Sequence, residues 1–296
     1  MGAADDSLNS ADTLIDPSTA RRRQIGEIMA ETRQLDAAQI ERVLAHQREH
    51  KLRFGEAAVA LGLAHNDDVL FALAQQFDYP YAAKAQRKLK AELVALNEPF
   101  SRQAEAFRAI RSQLMVRVFR EGGQRALAVV SPASGDGKTF FAANLAVVLA
   151  QLGGRTLLVD ADMRGPRQHE VFQLPNDSGL SSILSGRSDK QVVQRVAGVP
   201  SLFVLPVGVT PPNPLELVER PAFGLLIREL ATRFEHVIVD TPAHQYGADG
   251  PVIASRCGAA LVVARRHASR INAVQDLVAV LGGGVAQMAG VILNEY

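Results

Sequence analysis

Apolar positions follow two different rhythms along this chain. From residue 24 the run Q-I-G-E-I-M, followed by Arg33, Ile40, Leu44 and Gln47, returns 29 residues later as R-F-G-E-A-A with Gly62, Val69, Leu73 and Gln76. One small unit is written twice. Each copy opens on a Gly-Glu step, continues as a short apolar helix, breaks, and resumes with apolar residues at i and i+4 that end in glutamine, which predicts two helical hairpins packed on each other. From Ala126 the rhythm changes to short apolar runs alternating with helical stretches: A-L-A-V-V, T-L-L-V-D, L-F-V-L-P, H-V-I-V-D, A-L-V-V-A and G-V-I-L-N. That alternation predicts an α/β fold with a doubly wound, mostly parallel sheet, and such sheets bind ligands at the carboxyl ends of their strands. The expected organisation is a disordered leader over 1–20, a helical tandem-repeat domain over 21–90, a linker and helix over 91–125, and the α/β domain over 126–296.

Composition narrows the classes. At 296 residues and 47% hydrophobic the chain is large enough for two domains. A formal charge of +1 gives no surface suited mainly to nucleic acid. Cys257 is the single cysteine, so an internal disulfide framework and a thiolate metal cage are both excluded and a reducing cytoplasm is expected. The first twenty residues lack the apolar run of a secretory signal, and the apolar stretches Ala142 to Leu152 and Ala259 to Ala264 are shorter than a bilayer span. Any membrane association is expected to come through another protein.

Three motifs fall at predicted strand ends. S-P-A-S-G-D-G-K-T, Ser131 to Thr139, lies between the first strand and an apolar helix expected to begin near Phe140. Amide hydrogens of such a loop face inward around phosphate oxygens, and the positive end of the following helix adds to the attraction. Gly135 and Gly137 supply backbone freedom, Lys138 reaches the terminal phosphates, and Thr139 offers a hydroxyl to magnesium. Pro132 stands where the usual first glycine would be. L-L-V-D-A-D-M-R places Asp160 and Asp162 at the end of the next strand. Two carboxylates so close repel each other unless a cation lies nearby, and magnesium bound with nucleotide is the better account than a solvated turn. H-V-I-V-D-T-P ends a buried strand on Asp240, where a P-loop enzyme needs a second metal-orienting carboxylate. The three together point to ATP and Mg2+.

These motifs resemble the Walker A, A′ and B motifs of bacterial tyrosine kinases of exopolysaccharide biosynthesis, over residues 100–296. With the repeat in front, the chain is similar to EpsG-like chain-length-determinant kinases, and R-G-P-R-Q-H-E after Asp162 and T-P-P-N-P-L-E-L at Thr210 agree with them. The resemblance implies an ATP-dependent protein-tyrosine (auto)kinase that regulates polymer length or export and is activated by a separate membrane-embedded chain-length regulator. It implies nucleotide contacts from Ser134, Gly135, Asp136, Gly137, Lys138, Thr139 and Phe140, an adenine contact from Asn294, metal contacts from Thr139, Asp160 and Asp240, and catalytic roles for Lys138, Asp160, Asp162 and Asp240. Glu105, Arg108 and Arg111 reproduce the E-x-x-R-x-x-R signature of ring assembly, on a helical stripe beside Phe107, Ile110, Leu114 and Val118; the plainer alternative is a solvated face with one internal ion pair. The repeat resembles the N-terminal domain of type II secretion ATPases, some of which bind cyclic di-GMP, and implies Arg53, Phe54, Gly55, Gly62, Leu73 and Gln76 as its contacts. The first copy departs from that pattern, with Gln24 in place of arginine and Arg33 in place of the second glycine.

The phosphoacceptor is open. No tyrosine-rich tail follows the last strand, and Tyr296, two residues past Asn294, reaches at most about 7 Å beyond it. Tyr296 and Tyr246 are the candidates, with a residue on another protein as the alternative; Tyr79 and Tyr81 fall in the repeat. Two other classes stay in view: a switching ATPase of the partitioning type, against which Ala133 counts because such proteins carry a lysine there, and a cyclic di-GMP-responsive scaffold.

Overall fold

A computed structural model describes residues 25–76, 92–119, 125–187 and 192–295. The leader at 1–20, Gln24, Tyr79, Tyr81 and Tyr296 lie outside the described residues. The chain divides into two compact units, with the boundary between Tyr79 and Pro80.

Among its described residues the first unit holds four helices, α1 (Ile25–Arg33), α2 (Ala37–His50), α3 (Phe54–Ala60) and α4 (Asn66–Gln76). The repeat reads through to the capping. Asp36 and Gln39 form a capping box at the start of α2, and in the second copy the Glu56 carboxylate accepts from the Arg53 N–H at 2.8 Å. The copies interlock rather than stack as separate hairpins: α1 packs mainly on α4, and α2 on α3. Their core is Ile28, Met29, Val43, Ala57, Ala58, Ala64 and Ala72. Gly55 is fixed by this packing, because a Cβ there would come within 2.6 Å of Val69 Cγ1. Its counterpart Gly26 would meet only Phe54, at an ordinary 3.7 Å.

The second unit is built on a seven-stranded sheet in the order β3-β4-β2-β5-β1-β6-β7. Its strands are β1 (Ala126–Val130), β2 (Thr156–Asp160), β3 (Gln194–Arg195), β4 (Leu202–Leu205), β5 (His236–Asp240), β6 (Gly258–Arg265) and β7 (Gln287–Asn294). All pairings are parallel except that of β3, a two-residue edge strand the apolar runs did not announce. Alternation along β1 sends Leu127 and Val129 into one core layer and Ala126, Ala128 and Val130 into the other.

The first layer contains α5 (Val94–Asn97), α6 (Arg102–Arg117) and α7 (Lys138–Ala150); the second includes α11 (Pro221–Arg233), α12 (Asp249–Cys257) and α13 (Ile271–Gly282). Between them in sequence lie the short helices α8 (Gln168–Val171), α9 (Leu180–Leu184) and α10 (Pro214–Glu219). Helix α7 starts at Lys138, two residues before the expected Phe140, and is apolar around nearly its whole circumference because α5 and α6 cover the side turned away from the sheet. Asn144 is the polar exception. Fully buried, it accepts from Ala95 N–H at 2.9 Å and donates to the carbonyls of Glu92 and Phe140, and so fastens the segment before α6 to the helix of the phosphate loop.

Candidate functional site

The parallel register sets Asp160 directly beside Asp240 at the ends of β2 and β5. Next to them β1 runs into the phosphate loop, where Gly135 (φ 86°) and Gly137 (φ 94°) take left-handed conformations that side chains resist. The chain then enters α7 with Lys138 buried in its first turn. Ser134, Gly135, Gly137, Lys138, Thr139 and Phe140 line an open cleft of about 850 Å³, joined by Asp162, the 164–167 segment, Glu92, Gln103 and Tyr246. The loop is braced from behind. Asp136 is buried, and its carboxylate accepts from Ala133 N–H (2.8 Å) and the Ser269 hydroxyl (2.7 Å). Asn294 donates to the Asp136 carbonyl at 3.3 Å, so both side chains hold the loop from within the fold.

The two neighbouring aspartates are differently engaged. Asp160 is wholly buried and accepts three backbone N–H groups, from Asp162, Arg167 and Gln168, which wraps the following loop around it. Asp162 lines the cleft, and its Oδ1 caps the turn through Arg164 and Gly165 N–H. Burial, then the facing Asp240 charge, drives the Asp160 carboxyl well above the usual carboxylate range. Burial likewise pushes Asp240 up to about 6, although Lys138 draws it down. Asp240 Oδ2 accepts from Gln168 Nε2 at 2.8 Å, while Oδ1 is buried with no hydrogen bond among the described residues.

A buried, raised carboxylate with an open oxygen beside a threonine hydroxyl fits a hard cation that takes oxygen ligands. Thr139 and Asp240 would hold it, with Asp162 in reach of the same cleft. Linkage gives a test. A carboxylate raised in the folded state favours the fold below the unfolded value of about 4 and loses that contribution as pH rises through about 6. The cation of bound Mg–ADP would compete with the proton for the Asp240 carboxylate, so the ligand's increment in melting temperature is expected to be larger at pH 7.5 than at pH 5.5; equal increments in thermal melts at the two pH values would contradict the assignment.

Tyr246 is held over the loop by backbone. In the 3-10 turn His244–Tyr246, His244 N–H donates to Ser131 carbonyl (2.9 Å) and Gln245 N–H to Pro132 carbonyl (3.0 Å). Arg164 closes the other side with a two-pronged pair to Asp249, both bonds 3.1 Å. Across the mouth, Arg167 pairs with Glu92 at 2.8 Å.

Residues 127–296 match the CobQ/CobB/MinD/ParA nucleotide binding domain. The chain is also 32% identical over 209 residues to the tyrosine-protein kinase YwqD of Bacillus subtilis, covering 70% of this chain and 87% of that protein. It belongs to the bacterial tyrosine-protein kinase family. The tyrosine-protein kinase wzc of Salmonella typhimurium is 33% identical over 211 residues, 71% of this chain, but the match spans only 29% of that longer protein. The kinase domain of Escherichia coli tyrosine kinase ETK superposes with a TM-score of 0.65 at 31% identity, over 69% of this chain and 79% of that one.

In this kinase the E-x-x-R-x-x-R residues are only partly outward. Arg108 pairs with Glu105 at 2.7 Å and donates to the Pro99 carbonyl, and Arg111 donates to the Val148 carbonyl of α7 at 2.8 Å. Glu105 is the exposed member, its side chain 70% accessible. In the helical unit Arg53 is exposed, Gly62 has a positive φ of 66°, and Phe54 and Leu73 are half-buried, as is Gln76. Three groups of the kinase site had no role assigned from the sequence: Gln168, Asn144 and the Glu92–Arg167 pair. Arg167 and Gln168 fall inside the R-G-P-R-Q-H-E run, which names no role for either, and Asn144 and Glu92 lie 16 and 68 residues before Asp160.

Proposed function

We propose that the chain is an ATP-dependent protein-tyrosine kinase whose phosphoryl acceptor is Tyr246 of the same cleft. The supporting observation is that Lys138, Asp162 and Tyr246 line one open cleft, and that Asp240, joined through Gln168 to the cleft-lining Thr139, has an oxygen with no hydrogen bond among the described residues. Lys138 and the loop amides hold the triphosphate and offset the charge that develops on the transferring group. Thr139 and Asp240 would hold magnesium, which would supply neutralisation of phosphate charge. The phenolic oxygen of Tyr246 forms the new P–O bond as the bond to the ADP oxygen breaks, and Asp162 takes the phenolic proton.

The same proposal carries the finer points of the resemblance. The kinase acts as an EpsG-like determinant of exopolysaccharide chain length or export, in the cytoplasm, under a membrane-embedded regulator; no described helix is long and apolar enough to cross a membrane. Self-association through α6 rests on exposed Glu105, and cyclic di-GMP binding on the exposed Arg53 and Gly62 of the helical unit. Labelled ATP with Mg2+, followed by mapping of the modified residue, tests the central claim. Label on Tyr246, absent from Tyr246→Phe, is the expected result. Phosphate released to solvent with no labelled tyrosine would instead mark a switching ATPase.

A further inference from the structure

Gln168 is a buried polar side chain that joins three parts of the site. Its backbone N–H donates to Asp160 (2.9 Å), and its amide nitrogen donates to Asp240 Oδ2 (2.8 Å) and to the carbonyl of Thr139 (3.2 Å). No solvent reaches it. Both Gln168 Oε1 and Asp240 Oδ1 are left buried without a hydrogen bond among the described residues. A glutamine kept only for packing at this depth would leave its oxygen desolvated without a partner, which is destabilising. Two unsatisfied acceptors on adjoining side chains call for a donor or cation brought in from outside, and hydrated magnesium is both, since it retains several of its waters.

We propose that Gln168 is a positioning residue for magnesium. By occupying Asp240 Oδ2 it leaves Oδ1 as the oxygen offered to the cation, and its own Oε1 accepts from a water the cation carries. Its grip on the Thr139 carbonyl holds the other metal-facing residue at the same time. The inference rests on the nucleotide reading above, and the experiment separates the two.

The Mg2+ concentration that half-saturates the enhancement of fluorescent ADP binding is measured on the full chain, with ADP affinity in chelator as internal reference. In Gln168→Met, which keeps length and removes every hydrogen bond of the amide, this concentration is expected to rise roughly tenfold or more, the usual cost of losing a partner that orients a metal ligand. ADP affinity in chelator is expected to change by only a fewfold, because the loop amides and Lys138 that face the phosphates are kept and one bond to the Thr139 carbonyl is lost. Should Gln168→Met fail to fold, Gln168→Asn, which retains an amide without the reach, is read in the same way. An unchanged Mg2+ midpoint overturns the proposal, and so does an equal loss of ADP affinity with and without Mg2+, which marks a purely structural glutamine. If the parent chain binds no ADP at all, the nucleotide reading fails instead.

Discussion

Lys138→Met is expected to reduce phosphoryl transfer by about a hundredfold to a thousandfold, the range for removing one well-placed group that stabilises developing charge. Lys138 is the first residue of α7, is 6% exposed, and lines the cleft beside Thr139 and Asp162. Its ammonium is also the leading influence that draws Asp240 down against burial. Methionine keeps the stem packed and removes only the charge, so the fold is expected to survive. Transfer of label from ATP, compared with circular dichroism of the same preparation, checks both halves. Retention of more than about a tenth of the rate would place the stabilising charge elsewhere.

Asp160→Ala and Asp162→Ala are expected to fail in opposite ways although they stand one residue apart. Removing Asp160 strands the buried N–H of Gln168, at about 1–3 kcal/mol, and two part-buried N–H groups that cost less, offset in part by relief of its repulsion with Asp240. A net loss on the order of 2 kcal/mol in denaturant unfolding is expected, with the 160–168 loop released and nucleotide binding lost alongside. Removing Asp162 breaks two bonds in a partly exposed turn and is expected to change stability by about 1 kcal/mol or less. Transfer to tyrosine should nonetheless fall by about a hundredfold or more, as for loss of a general base. Equal stability losses in the two variants, measured without nucleotide, would overturn this division of labour.

The sequence determined the layout of the kinase. Runs such as A-L-A-V-V and H-V-I-V-D are buried strands because a parallel sheet covered on both faces requires continuous apolar residues. The loop from Ser131 to Thr139 and the aspartates at 160, 162 and 240 were legible because their chemistry depends on local spacing and on position at a strand end. The repeat was legible for the same reason, since one copy predicts the other.

Tertiary structure alone decided what each polar group does. Asp160 and Asp162 look alike as letters, but the chain after β2 turns back so that three amides converge on one and leave the other facing the cleft. Arg108 and Arg111 read as a surface stripe, yet the carbonyls of Pro99 and Val148 draw them inward because α6 lies against α7. Gly55 resembles a ligand contact in the sequence and is fixed by its approach to Val69. Gln168 stands in the R-G-P-R-Q-H-E run, but its role was not legible there, since its partners come from β2, β5 and the start of α7, segments up to 72 residues away that meet only once the sheet has formed. Local pattern fixes backbone conformation and the apolar face; hydrogen-bond partners separated along the chain are settled by packing.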